Sequence, residues 1–407
     1  MKVVLAPFGT RGDVQPMIAL GRGLQRRGHE VLLTGPENFG PWAEALGLPF
    51  AAAGPDIERQ LRSAGDAAGS FAYQVRYLIR ELVPRQFNML PDLCESADLI
   101  VGAGIQFAAR SVADRMDRPY AYVAYAPVAV PSAHHPPPFI RNQRLPHGMN
   151  RVLWRIFGVM AGGMLGNAVR RGRERLGLPP IDDLMAHLSD VPLILAVEPE
   201  LADPPPDLPP GARVTGPLLL PDDGPLDAEL MRFLEAGPAP VFLGFGSMVS
   251  DRARELVQLF ANAAERLGYR LVVQAGWTGI SEAEIRLGQG CKLIGPAPHG
   301  VLFPRVRAAV HHGGAGTTTA VARAGIPQQI LPHLLDQFYW AHRVRALHLG
   351  PRAIPVHRVR RERQVTRLLA DLVGTPSYMA HARDLAARLD RLDGVREAIQ
   401  VLEELVA

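Results

Sequence analysis

Short continuous apolar runs recur along the chain, separated by segments with helical spacing. In the first half they cover Lys2 to Phe8, Glu30 to Thr34, Asp98 to Gly102, Tyr120 to Tyr125 and Pro192 to Val197. In the second half they cover Val241 to Gly244, Leu271 to Gln274, Cys291 to Ile294, Ala308 to His311 and Gln328 to Leu331. Unbroken apolar runs, rather than strict alternation, belong to parallel strands covered on both faces. Val14 to Arg27 carries a helical pattern that stops at Gly28, as a helix should. Each half therefore reads as an α/β unit, a Rossmann-like doubly wound parallel sheet.

Between the halves, Pro204 to Pro225 (PPPDLPPGARVTGPLLLPDDGP) is dominated by proline and glycine. Proline can neither continue a helix nor sit in a central strand. The organisation expected is a first domain over 1–203, a linker over 204–225, a second domain over 226–380 and a C-terminal helix over 381–407. Tyr378 to Val406 is amphipathic, and whether it returns to the first domain is left open by the pattern.

Composition narrows the class. The 407 residues suffice for about two to three domains. Formal net charge is +4, and no block of like charges occurs, so no nucleic-acid partner is expected. Arg170-Arg171-Gly172-Arg173 reads as a solvated helix face. Cys94 and Cys291 lie too far apart in sequence for a disulfide framework, which fits a reducing compartment. MKVVLAPFGTRGD has neither the apolar length nor the cleavage site of a signal peptide. The weakly apolar run Phe157 to Val169 is too short and glycine-rich to span a bilayer. A soluble cytoplasmic protein without membrane contact is expected, as monomer or homodimer. Trp154 to Leu165 would touch lipid only if the acceptor were a lipid.

The two halves open alike. LAPFGTRGD ends the first strand of one and LGFGSMVSD ends the first strand of the other. Ligands bind at the carboxyl ends of such strands, so both turns are expected to face the interdomain cleft. HHGGAGTTTA, residues 311 to 320, puts small, flexible positions where a strand becomes a helix. A helix beginning near Gly316 and Thr317 offers free amide N–H groups and the positive dipole end, a site for phosphate. His312 can add a ring N–H, and Thr317 and Thr318 can add hydroxyls. His311 is expected to end the strand and pack inward. No P-loop lysine is present, which argues against ATPase-type phosphoryl transfer. In GIPQQILPHLLDQFYWAHRV, Asp336 and Gln337 pair a carboxylate with an amide, a combination suited to sugar hydroxyls. Asp336 taken alone also reads as a helix N-cap.

With FGTRGDVQP, GFGSM, GPAPHGVLFPRVRAAVHHGGAGTTTA and GIPQQILPHLLDQFYWAHRV in order along its full length, the chain resembles the GT-B glycosyltransferases that use nucleotide-activated sugars. It is most similar to the bacterial branch that glycosylates antibiotics and other natural products, which is related to the sterol glucosyltransferases. The resemblance implies two Rossmann-like domains facing a cleft. It implies inverting transfer of a hexose from a UDP- or TDP-sugar to a small apolar acceptor: a polyketide or macrolide, a flavonoid, or a sterol or terpenoid. The nucleotide sugar is a co-substrate, and no bound cofactor or metal is expected. On this pattern Ser247, His312, Gly313, Gly314, Ala315, Gly316 and Thr317 hold the donor diphosphate. Pro296, Ala297, Pro298 and His299 hold the nucleobase. Thr10, Asp336 and Gln337 hold the sugar. A nucleotide-sugar epimerase or a cell-wall or lipid-precursor transferase on the same fold is the alternative. A non-catalytic partner protein fits poorly, because the diphosphate residues are all retained.

An inverting transfer needs a base for the acceptor hydroxyl. Many relatives carry a histidine in the first loop. This chain has none there, and the antibiotic and sterol branch places an aspartate in it, which matches Asp13. A carboxylate near a helix N-terminus is expected to be stabilised in its charged form, which weakens it as a base. For the acceptor, Phe71, Tyr77 and Phe87 offer aromatic surface, Arg11 a cation, and Ser132 to Asn150 a long proline- and histidine-rich loop read as a lid. His134 and His135 are second base candidates. Without a further spaced ligand they are poor metal ligands.

Overall fold

The computed structural model describes all residues except 66–69, 249–251 and 390–391, together with the side chains of Phe71 and Glu282. Two parallel sheets form the frame. The first comprises β1 (Lys2–Phe8), β2 (Glu30–Pro36), β3 (Phe50–Gly54), β4 (Leu99–Gly104), β5 (Tyr120–Ala124), β6 (Leu193–Leu195) and β7 (Arg213–Val214), in the spatial order β3-β2-β1-β4-β5-β6-β7. The second comprises β8 (Val241–Gly244), β9 (Leu271–Gln274), β10 (Cys291–Ile294), β11 (Ala308–His311) and β12 (Gln328–Ile330), in the order β10-β9-β8-β11-β12. Strand β3 is absent from the apolar runs that mark the other strands. Its sequence, FAAAG, is too small and weakly apolar to stand out. Strand β7 lies inside the proline-rich 204–225 stretch, which is therefore not wholly irregular.

Both sheets are wound the same way. The chain steps outward from β1 to β3, then returns to place β4 on the other side of β1. It does the same from β8 to β10 and back to β11. The switch points lie between β1 and β4 and between β8 and β11, where a doubly wound sheet opens a crevice. The two similar opening turns sit at these points.

The buried faces follow from the patterns. Val3 and Leu5 pack with Val14, Met17, Ile18 and Leu24 of the helix Arg11–Arg26, while Val4 and Ala6 face the opposite layer. The second domain repeats this with Val241, Leu243, Leu256 and Phe260. A third cluster joins the domains. Leu195, Val197 and Leu201 pack on Trp340, Val344, Leu385 and Leu389. Glu198, 1% exposed, accepts from Arg323 Nε at 2.6 Å within that joint.

The last helix, Gly394–Glu404, lies on the first domain. Ala398, Ile399 and Leu402 belong to its core, and Gly23 leaves room for Val395 and Ile399. Glu403 accepts from Arg27 and pairs with His29. Near the cleft mouth Trp277, from the second domain, meets Phe39 of the first with ring centroids 6.4 Å apart.

Candidate functional site

Strand pairing sets the site. His311 is in register with Gly244 on one side and Ile330 on the other. The turns after β8, β11 and β12 therefore stand side by side, carrying Ser247, His312 and the 332–336 loop.

The turn after β11 is built from its histidines. His311 is 1% exposed. Its Nδ1 accepts from the Gly313 amide at 3.1 Å, so Nε2 carries the proton and donates to Gln328 Oε1 at 2.9 Å. Burial pushes its pKa down to about 4, and it serves as a neutral strut, packed inward as its place at the strand end implied. Gly313 has φ +95°, and a Cβ there would strike Ile330, so only glycine turns this corner.

The helix Ala315–Arg323 then starts with Gly314 as N-cap, one residue ahead of the expected Gly316. The Thr318 amide makes the first return bond, to Gly314 O at 2.9 Å, which leaves the first-turn amides of Ala315, Gly316 and Thr317 without intrahelical acceptors. Gly316 is exposed and Thr317 half-buried. Thr318 is a correction: it is fully buried, and its hydroxyl donates to Gly314 O at 2.9 Å, so it has nothing left for a phosphate.

His312 stands over this turn. A Cβ on Gly314 would come within 2.6 Å of Nε2, and one on Gly246 within 2.6 Å of Cε1. Two glycines thus clamp the ring and hold Nε2 at the helix mouth. Burial, the largest cause, holds its pKa well below the usual histidine range. Nδ1 has no hydrogen-bond partner among the described residues. The Gly244 carbonyl opposes the downward shift without closing a bond of ordinary geometry. Ser247 is half-buried beside the clamp, and nothing among the described residues bonds its hydroxyl. Val249 to Asp251, the end of the LGFGSMVSD motif, lie outside the described residues.

Asp336 precedes the helix Gln337–Ala346 yet does not cap it through its side chain. Its Oδ2 instead accepts from Trp340 Nε1 at 3.1 Å. Leu335 before it holds φ +52°, a strained conformation for a bulky residue that aims the next side chain. Burial raises the Asp336 carboxyl to about 6, against the Trp340 bond. Gln337 differs from the pairing expected of it. Its Oε1 already accepts from the His333 amide at 2.7 Å and the Leu334 amide at 3.2 Å, and only Nε2, near Met248 Sδ, remains. The acceptor half of the pair falls to Asp336.

Asp13 faces this group from the first domain. The Thr10 amide donates to its Oδ2 at 2.8 Å and the Thr10 hydroxyl at 3.4 Å, closing the start of the helix Arg11–Arg26. The Tyr125 hydroxyl donates to its carbonyl at 3.0 Å. Contrary to the expected depression, its pKa is raised to about 7. Burial is the largest cause and the Asp336 charge adds to it, against the Thr10 hydrogen bond. The helix N-terminus is outweighed because the carboxylate is enclosed. A Cβ on Gly9 would meet Oδ2 at 2.1 Å, and one on Gly104 would meet Oδ1 at 2.8 Å. Gly9 belongs to the glycine turn of LAPFGTRGD, whereas sequence reasoning does not find Gly104. Gly104 reaches Asp13 through the β1–β4 pairing, Phe8 against Gly104, which no local pattern shows.

Gly104 has φ +66°, and its Cβ would also strike Phe8 O at 2.3 Å. Gly104→Ala is expected to cost roughly 2–4 kcal/mol of stability, from backbone strain and overpacking together, and to displace the Asp13 carboxylate. Urea unfolding measures the first effect, and an unchanged midpoint would contradict the packing described.

The nucleobase candidates lie around the loop after β10. Pro296 is exposed, and Ala297 and Pro298 are half-buried. The His299 ring stacks on Phe303 at 4.4 Å and pairs with Gln274 Oε1 at 3.2 Å. Asp222, from the linker, accepts from the His299 amide.

The structure disperses the acceptor candidates. Phe87 is 4% exposed, packed on Gly172 in the core, and is not available to a ligand. The Phe71 side chain lies outside the described residues. Tyr77 is half-buried, with burial pushing its pKa to about 12. Arg11 stacks over Trp42 at 4.8 Å and feels the charge of Asp222, which also accepts from the His299 amide. His135 is 3% exposed between Trp154 and Tyr339, with its pKa pushed down to about 4 by burial. It is an interdomain packing residue and not a base for a substrate. His134 is exposed against His147. The start of the 132–150 loop is pinned: Asp207 accepts from Ser132 and Ala133, and the Asn150 amide and Trp154 indole donate to Ala133 and His135 carbonyls. Those residues are not free to act as a lid.

Known proteins carry the same architecture. The description of the Glycosyltransferase family 28 N-terminal domain matches residues 3–90, and that of the Erythromycin biosynthesis protein CIII-like C-terminal domain matches residues 278–405. The Vancomycin aglycone glucosyltransferase of Amycolatopsis orientalis is 34% identical over 100% of this chain and 98% of its own. The chain belongs to the GT-B glycosyltransferases. A Sterol 3-beta-glucosyltransferase of Candida albicans is 30% identical over 86% of the transferase, which spans 24% of that longer protein. Among solved structures, the glycotransferase of kitacinnamycin superposes with a TM-score of 0.75 at 18% identity, and the glycosyltransferase VinC in complex with DTDP with 0.70 at 21%. In both cases 100% of the transferase and 99% of the other chain are covered, which shows a shared fold.

Proposed function

We propose that the transferase moves a hexose, with inversion, from a UDP- or TDP-sugar to a hydroxyl of a small apolar natural product. One arrangement carries this reading. A helix N-terminus with His312 clamped above it lies by two enclosed carboxyls, Asp336 and Asp13, and Asp13 feels the charge of Asp336 across the cleft. The amides of Ala315, Gly316 and Thr317, with the His312 ring and the Ser247 hydroxyl, receive the diphosphate. Asp336 accepts from sugar hydroxyls while Trp340 holds it in place. Asp13 takes the acceptor proton as the new glycosidic bond forms and the bond to the diphosphate breaks. The charge that develops on the leaving diphosphate falls where preorganised donors already point.

A carboxyl with a pKa near 7 suits this work better than an ordinary aspartate, because a base is most effective when its pKa lies near the working pH. Relatives in the comparisons support the donor class. A thymidine diphosphate complex is known for a structural neighbour, and the vancomycin and sterol enzymes are named as glucosyltransferases. The deciding experiment incubates the protein with UDP-glucose or TDP-glucose and a panel of macrolide, flavonoid and sterol acceptors. Nucleoside diphosphate release matched by an acceptor mass gain of one hexose is expected. Donor cleavage without any glycosylated product across the panel would defeat the assignment of the acceptor class.

A further inference from the structure

We propose that the exposed face of the helix His147–Arg175 docks on the surface of an anionic lipid bilayer. Met149, Val152, Ile156, Val159 and Met160 recur three and four residues apart and are 51%, 52%, 50%, 78% and 49% exposed. Phe139, 47% exposed on the preceding loop, extends the patch and packs on Phe157. A large apolar stripe left in water on one helix marks a contact surface.

The charge around it selects the occupant. Arg144, Arg151 and Arg155 are exposed, and none makes an ion pair among the described residues, whereas the Arg141 guanidinium lies over the Phe338 ring of the second domain. No Asp or Glu occurs between Asp117 and Glu174. An apolar stripe flanked by arginines, on a stretch of chain without acidic residues, matches a bilayer carrying anionic headgroups: the side chains enter the acyl boundary and the guanidiniums meet phosphates. A solvated helix face would instead carry mixed charges.

The helix lies on the membrane and does not cross it. It is long and apolar enough for a span by length and composition alone, but its other face is built into the protein. Ala161, Leu165, Ala168 and Val169 sit in the first domain's core, and the Trp154 indole is tied to the His135 carbonyl. Leaving those contacts would break the domain. This revises the expectation of no membrane contact, and it stands independently of the donor and acceptor assigned above.

The test is vesicle flotation of the full chain. Vesicles of phosphatidylcholine alone are compared with vesicles of three parts phosphatidylcholine to one part phosphatidylglycerol, at low and raised salt. Wild type is expected to float with the anionic vesicles, weakly with the neutral ones, and less as salt rises. The double variant Ile156→Glu, Val159→Glu is expected to lower partition at least about tenfold. Arg151→Gln and Arg155→Gln are each expected to lower it about fivefold. Unchanged melting temperature and unchanged stabilisation by TDP show that the variants remain folded. No flotation with anionic vesicles, or flotation that ignores the glutamates, overturns the proposal. So does light scattering that finds a dimer dissociated by Ile156→Glu, Val159→Glu, because the face then belongs to a second copy of the chain.

Discussion

Asp13→Asn lowers the transfer rate by about 10²- to 10⁴-fold, the range spanned by a positioned general base, and leaves donor binding nearly intact. Asparagine can still accept from the Thr10 amide, so the helix start keeps its cap while the cleft loses the group that takes the proton. In wild type the transfer rate per unit acceptor, measured as kcat/KM, rises with pH through about 7 as the Asp13 carboxyl ionises. That limb is absent from the residual activity of the variant. The same shift has a stability sign. Asp13 is raised in the folded state above its unfolded value, so its contribution to stability is fully present below the unfolded pKa and is lost as pH rises through about 7. Asp336, raised to about 6, acts in the same sense. Wild type is therefore expected to lose stability between about pH 4 and 7 relative to Asp13→Asn, and to level off above that. Melting temperatures of the two proteins across that window measure it. Equal activity in the variant would remove Asp13 from the chemistry, and a parallel pH dependence of melting would remove the raised pKa.

The second large effect is at His312. Its ring is gripped by Gly246 and Gly314 with Nε2 at the mouth of the helix Ala315–Arg323, so alanine there removes a placed donor and the clamp's content together. A hydrogen bond to a charged group is worth roughly 1.5–3 kcal/mol, which predicts a donor dissociation constant weakened about 10- to 100-fold. Because the leaving diphosphate gains charge in the transition state, kcat is expected to fall as well, by about 10²-fold. Titration with TDP or UDP separates the two effects from each other. His311→Ala serves as the comparison. It takes away the strut that holds the Gly313 amide and Gln328, and it should reduce stability more than His312→Ala does. Donor affinity unchanged in His312→Ala would mean that the anion site lies elsewhere.

Much of this site is legible in the residues. Gly313 announces a corner because no other side chain tolerates φ +95° against Ile330. The amides of Ala315 to Thr317 are free because every helix start leaves them so. The two opening turns share a pattern, and doubly wound sheets place such turns at their switch points. These properties depend on a residue and its near neighbours. Within the C-terminal signature β11 and β12 are adjacent parallel strands, so the turns that carry His312 and Asp336 meet through one short ladder.

The remainder depends on groups far apart in the chain. Judged with its helix alone, Asp13 is a capped, stabilised carboxylate whose pKa should fall. Enclosure by Gly104 and Tyr125, with the charge of Asp336, turns the shift upward, and these partners lie on other strands and in the other domain. Phe87 and Tyr77 share an aromatic segment, yet Gly172, on another helix, draws Phe87 into the core. His135 stands next to His134 in sequence but is buried against Tyr339 of the second domain. Periodicity and backbone conformation are set by neighbours along the chain, and they can be read from it. Desolvation, electrostatic coupling and side-chain exposure are sums over neighbours in space, and they take their values only when the two sheets are assembled and face each other.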